Sequence, residues 1–217
     1  MNLGGYLPLL LKGTGITLGA WLAAGIISLV VGTTVGIISC RQLVSARWQW
    51  VVRIYTFVAK GIPAYVQILI AYFVLPALLG IQISGICAAI GALAFCSSGY
   101  VTEIVRAGLN AIARGQWEAC YVLGYPLSAT LQRVILPQVF RHSLPALLGE
   151  LEQLLKSTAL LATIGITELT RTGMNIISRE LNPIPVYLMI AAIYLLFSAL
   201  LQVVALYIEK WGHDGSC

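Results

Sequence analysis

Charge is what this chain has least of. Its 217 residues include 13 lysines and arginines and 8 aspartates and glutamates, while 59% are hydrophobic. A soluble domain of this size needs a charged exterior and could not hide so much apolar side chain, so lipid is the solvent that remains. A Gly-x-x-x-x-Gly-Lys-Ser/Thr loop is missing, which excludes a cradle for ATP phosphates in the chain itself. There is no nucleophile elbow, and neither histidine stands in a catalytic pattern, so no catalytic residue is assigned and an enzyme is not expected. The five cysteines (Cys40, Cys87, Cys96, Cys120 and Cys217) are odd in number and lack metal-ligand spacing, so free thiols and no metal site are expected. No linker, repeat or low-complexity tract divides residues 1–217, and no basic flank precedes the first apolar stretch as a cleavable signal requires. One integral membrane unit is the expectation.

What is there in abundance is uncharged length. Gly13–Cys40, Gly61–Thr102 and Leu181–Ile208 carry no charge at all. The middle one is long enough for two crossings broken around Pro76–Ser84, which makes four in total. A fifth, His142–Ile166, keeps a leucine-rich remainder around Glu150, Glu152 and Lys156. Ionisable groups at that depth face a cavity or a partner, so this fourth helix in chain order carries function. The fold class is therefore all-α, with about five transmembrane helices.

Arginines orient the bundle. Arg41, Arg47 and Arg53 follow the first helix, Arg106, Arg114, Arg133 and Arg141 lie between the third and fourth, and Lys210 follows the last; the opposite side has Lys12, Arg171 and Arg179. The positive-inside rule puts the N-terminus outside, the loop at about 106–141 in the cytoplasm, and the C-terminus in the cytoplasm. Trp48, Trp50 and Trp211 fall near the inner boundaries, where indoles favour the interface. The net charge of +5 is thus topological. Dispersed arginines at helix ends do not form a nucleic-acid surface, and no nucleic-acid partner is expected.

Within the inner loop, 115–138 is a moderately polar, helix-forming island between apolar runs. Gln116–Leu123 favours a helix that Gly124 stops and Pro126 ends; Leu127, Leu131, Val134 and Ile135 then recur at helical spacing before Pro137. Two short helices joined at a sharp turn are expected, a knob suited to docking against a partner protein, with a plain helical hairpin as the lesser alternative.

This loop resembles the coupling loop of permease subunits of ABC importers. Glu118, Ala119, Gly124, Ile135-Leu136-Pro137 and Gln138 stand at the motif's positions, with Cys120 replacing its second alanine. Lys60-Gly61-Ile62-Pro63 with Gln67 resembles the family's Arg-Gly-Thr-Pro-x-x-x-Gln segment. Tyr100, Glu103, Ile104 and Arg106 resemble its third helix, and Leu154-Leu155-Lys156, Thr158, Ile164-Gly165 and Glu168-Leu169 its fourth. These segments resemble the polar amino-acid branch, which carries histidine, lysine, arginine and glutamine.

The resemblance implies a type I importer fold in a bacterial cytoplasmic (inner) membrane. It implies a second permease, identical or paralogous, two ATPase subunits gripping Glu118, Ala119, Cys120, Gly124 and Pro137, and an extracytoplasmic solute-binding protein. ATP and Mg belong to the ATPase partner, and no cofactor is expected on this chain. The competing class is an ion-coupled secondary carrier or a channel subunit. A carrier usually contains an internal repeat, for which 217 residues leave little room.

Glu150 lies nine residues beyond Arg141, roughly 13 Å into a core about 30 Å thick. Glu152 precedes Lys156 by four, the spacing of a helical ion pair, whereas Glu150 has no such local partner. The family resembles this segment with a glutamate here, preceded by an asparagine where this chain has Gly149. Glu150 is expected to receive a basic group of the substrate, or else to pair with an arginine or lysine elsewhere in the bundle or to stand protonated and neutral. Ser97 and Ser98 are the accompanying candidates for substrate binding, although serines also bond their own helix.

Overall fold

A computed structural model describes residues 3–40 and 45–213 of the chain; Arg41 and Cys217 lie outside them. Every described element is helical. In order they are α1 (Leu3–Ile38), α2 (Ala46–Gly61), α3 (Ala64–Leu79), α4 (Gly85–Ala111), α5 (Arg114–Val122), α6 (Leu136–Ser157), α7 (Leu169–Glu180) and α8 (Pro183–His213). Among the described residues, α1, α4 and α8 are long and apolar enough to cross a membrane, and α2 with α3 makes a fourth span if the bent pair counts as one. The expected fifth is present as α6, a 22-residue helix that Arg141, Glu150, Glu152 and Lys156 keep out of the apolar class.

The central helix is α4, packed between α1 and α6 with α2 across it. Contact with α1 depends on small residues. A Cβ at Gly32 would stand 2.6 Å from Val101 Cβ, and one at Gly36 would stand 2.8 Å from Val105 Cβ. Thr102 Oγ1 exploits the close approach, donating to the Gly32 carbonyl at 3.2 Å. In lipid, where apolar surface gains little by association, such close backbone packing is what holds helices together.

The second crossing starts earlier than the hydropathy suggests. The sequence reading begins it at Gly61, because Arg47, Arg53 and Lys60 dilute the stretch before; in the structure α2 already runs from Ala46. It then turns by 96° into α3. Pro63 has no N–H and cannot continue α2, and Ile62 before it is held extended, as the residue before a proline prefers. The carbonyls freed at the break are not left bare. Gln67 Nε2 donates to Ala59 O at 2.7 Å and to Ile62 O at 2.8 Å.

Two further prolines are absorbed rather than obeyed. A π turn over Ile70–Val74 precedes Pro76, and another over Thr130–Ile135 precedes Pro137. A wider turn relieves the missing donor and the clash with the carbonyl four residues back. This corrects the expected separate second helix of the loop. Leu127–Ala129, the π turn and α6 join through right-handed helical backbone at Thr130 and Leu136, so Pro137, in the first turn of α6, sits inside a longer rod rather than at its end.

At the far end, Glu168 ties three helices together. Fully buried, it caps α7 by accepting from Thr170 N at 2.8 Å and Arg171 N at 2.7 Å. It also accepts from Tyr194 of α8 at 3.2 Å and Thr17 of α1 at 3.4 Å. A buried carboxylate is tolerable in lipid when this many donors converge on it.

Candidate functional site

Two places carry the chemistry: the α5 knob and a polar face shared by α2, α4 and α6.

The knob ends as its glycine requires. Gly124 has φ +72°, a left-handed conformation that glycine adopts at no steric cost. Tyr125 N donates to Cys120 O and Gly124 N to Tyr121 O, each at 3.0 Å, satisfying carbonyls at the helix end. Cys120 is buried, so a small residue is needed there and the thiol fills the alanine's place. Glu118 is exposed and pairs with Arg114 at 2.9 Å. An exposed ion pair of this kind contributes little and exchanges readily for another partner. Ala119 and Pro137 are exposed. What the sequence reading missed is the tip: Tyr121, Val122 and Leu123 are 85%, 83% and 73% exposed, three apolar side chains in a row. Contiguous exposed apolar surface of this sort suits contact with another protein or with the membrane.

On the polar face, Glu150 reaches a cavity of about 270 Å³ with Ser97, Tyr100, Gln153 and Ser157. Ser97 Oγ is buried without a well-formed hydrogen bond, yet stands close enough to the Glu150 carboxyl to interact with it. No lysine or arginine among the described residues forms an ion pair with Glu150. Ser98 does not join this cavity. Its Oγ is 2.5 Å from Tyr55 Oη of α2 and donates to Phe95 O at 2.7 Å, so it stands apart from Ser97, the other serine expected to line the substrate's path. Glu152 and Lys156 pair at 2.7 Å, as their spacing predicts.

A larger cavity of about 670 Å³ opens beside the first between α2 and α4. Lys60 and Glu103 form an ion pair across it, Arg106 approaches Glu103 at 3.6 Å, and the Lys60 ammonium lies 5.3 Å from the centre of the Tyr100 ring. Both acid and guanidinium stand on α4, where Glu103 meets Lys60 of α2 and Arg106 reaches Glu103 along the same helix. Among the described residues no cluster of metal-ligating side chains occurs.

A bundle with an exposed helical knob at one end and a polar, unpaired acid within its spans fits a subunit that moves solutes and is driven from outside itself. The chain belongs to the family described as binding-protein-dependent transport system inner membrane component, whose pattern matches residues 32–211. It is a transmembrane permease subunit of the ABC importer class, a family that is not itself catalytic.

Its relatives narrow the class. The chain is 34% identical over 204 residues to the arginine transport system permease protein ArtQ of Bacillus subtilis, covering 94% of this chain and 92% of that one. It is 31% identical over 201 residues to a putative glutamine transport system permease protein GlnP of Rickettsia typhi, covering 93% and 91%. It is 36% identical over 163 residues to the L-cystine transport system permease protein TcyB of Bacillus subtilis, covering 75% and 69%. Among solved structures, a chain of an amino acid ABC transporter crystallised with histidines superposes with a TM-score of 0.86 at 32% identity, covering 95% of each chain. The type I importer permease fold is thereby established, and these relatives favour it over a secondary carrier or a channel subunit.

Proposed function

We propose that this chain forms one half of the membrane pathway of an ATP-driven importer for polar amino acids in a bacterial cytoplasmic membrane. Glu150 carries the reading. A carboxylate on a polar cavity wall, with Ser97, Tyr100 and Gln153 around it and no cation among the described residues paired with it, suits the α-ammonium or a basic side chain of an amino acid. Relatives named for arginine, glutamine and cystine support that substrate class, all three amino acids carrying an α-ammonium at neutral pH.

The α5 knob is the contact for the ATPase subunits, with Tyr121–Leu123 as its apolar tip, Glu118 as an exchangeable charge and Ala119 permitting close approach. ATP and Mg act on those subunits, which supply the free energy of transport; this chain supplies the path. A second permease, a copy or a paralogue, faces the Glu150 wall to complete it, and an extracytoplasmic binding protein delivers the substrate.

The test is ATP-dependent uptake by the reconstituted complex across labelled arginine, lysine, histidine, glutamine and cystine. Accumulation of at least one, lost or strongly reduced in Glu150→Gln while the subunits still copurify, supports the reading. Wild-type uptake of the whole panel by Glu150→Gln removes Glu150 from the path.

A further inference from the structure

The larger cavity is polar along both of its walls. Gln49, Arg53 and Lys60 share one face of α2, at spacings of four and seven residues, and Tyr100, Glu103 and Arg106 share one face of α4, at spacings of three. A wall of that composition does not face hydrocarbon, where each unsatisfied polar group is costly; in a membrane bundle it lines a water-filled path. Tyr100 also lines the cavity of Glu150, so the two spaces adjoin across one ring. The larger one lies toward the end of α4 that leads into α5, the end assigned above to the cytoplasm.

The two spaces have opposite charge. The cavity around Glu150 contains one carboxylate and no cation. The larger one contains three cations, Arg53, Lys60 and Arg106, against the single carboxylate of Glu103. Glu103 is already engaged by Lys60 and approached by Arg106. Arg53 has no acidic partner among the described residues. An uncompensated guanidinium on the wall of a roomy cavity is a site for an anion, and for a carboxylate above all, which it can hold by two parallel hydrogen bonds.

We infer that Arg53, backed by Lys60 and Arg106, forms a release subsite that draws the α-carboxylate of the amino acid as it leaves Glu150. The inference rests on the reading of Glu150 as part of the path and adds a second station to it. An amino acid presents an ammonium and a carboxylate on the same carbon. A negative station followed by a positive one lets each end find a partner in turn. Neither station then needs to bind the whole zwitterion tightly, so the substrate is passed on rather than trapped. The same subsite is open to amino acid already accumulated inside, which makes it a point of product inhibition.

The experiment uses the complete reconstituted importer, with vesicles preloaded with unlabelled L-arginine or L-glutamine, whichever the complex carries, or with the corresponding α-carboxamide. Uptake of labelled substrate is then followed for wild type, Arg53→Gln and Arg53→Lys. In wild type the internal acid inhibits, and the amide, lacking the carboxylate, does so roughly tenfold less well. In Arg53→Gln the internal concentration for half-inhibition rises roughly tenfold relative to the external half-saturating concentration, and Arg53→Lys recovers most of the difference. Three results overturn the inference: no internal inhibition in wild type, equal inhibition by acid and amide, or an unchanged ratio in Arg53→Gln. A ratio that is unchanged by Arg53→Gln, in an importer whose activity falls when phosphatidylglycerol is withdrawn from wild-type vesicles, would give the cluster to a lipid headgroup instead. Failure of the Glu150 reading is seen separately, in the uptake panel.

Discussion

The side-chain amide of Gln67 holds the carbonyl of Ala59 at 2.7 Å across the break between α2 and α3. Eight residues apart in sequence, the two lie on opposite sides of a 96° turn, and the same amide takes the Ile62 carbonyl. A broken helix in a membrane must satisfy the carbonyls it frees. Here one side chain does so.

Gln67→Leu leaves both carbonyls without that donor at a buried position. A loss of about 2 kcal/mol or more is expected, seen as a clear drop in the melting temperature of the detergent-solubilised complex. An unchanged melting temperature would show that water or a neighbour replaces the amide.

Gly32→Ala forces a methyl against Val101 and the Ser98 carbonyl, within 2.7 Å of each. Overpacking of this kind costs about 1–3 kcal/mol. Gly15→Ala, where nothing lies within 4 Å, is the matched control and is expected to be neutral. Equal stability of the two variants would argue that α1 and α4 separate freely.

At Gly124 the constraint is conformational, since no atom lies within 4 Å of an added Cβ. Asparagine tolerates left-handed backbone and valine does not. Substrate-stimulated ATPase activity is therefore expected to survive largely in Gly124→Asn and to fall severalfold in Gly124→Val, with membrane insertion intact in both. Equal activity would mean that the turn has no part in coupling.

Replacing Tyr121, Val122 and Leu123 together by serine removes the apolar tip without touching the buried Cys120. The ATPase is expected to be lost on copurification while the permease still inserts and melts as before. Retention of the ATPase at wild-type stoichiometry would move the contact elsewhere.

Much of the fold was legible because lipid imposes simple rules on sequence. Long uncharged runs gave the bodies of α1, α4 and α8, while α1 starts ahead of Lys12 and α4 runs on past Glu103 and Arg106 to Ala111. Gly124 announced its left-handed turn because few other residues adopt one, and the Glu152–Lys156 spacing announced its ion pair. The start of α2 was illegible, because Arg47, Arg53 and Lys60 look like loop charge, and nothing local shows that α4 presents Glu103 and Tyr100 to Lys60. Pro137 misled for a different reason. A proline ends a helix or is accommodated by a wider turn, and the residue alone does not say which. Ser97 and Ser98 were indistinguishable in sequence, although consecutive helical residues point about 100° apart, and only packing decided which one meets Glu150. The Lys60–Glu103 pair spans 43 residues, beyond any local spacing rule.

The joining of 127–157 without a loop has a mechanical result. About 23 residues at 1.5 Å each set Glu150 ~35 Å from Leu127 along one continuous helical path. Pivoted at its foot, a tilt of about 5° would swing the carboxylate ~3 Å sideways, comparable to the length of a hydrogen bond. Leverage of that size is enough to offer the acid to a solute and then withdraw it.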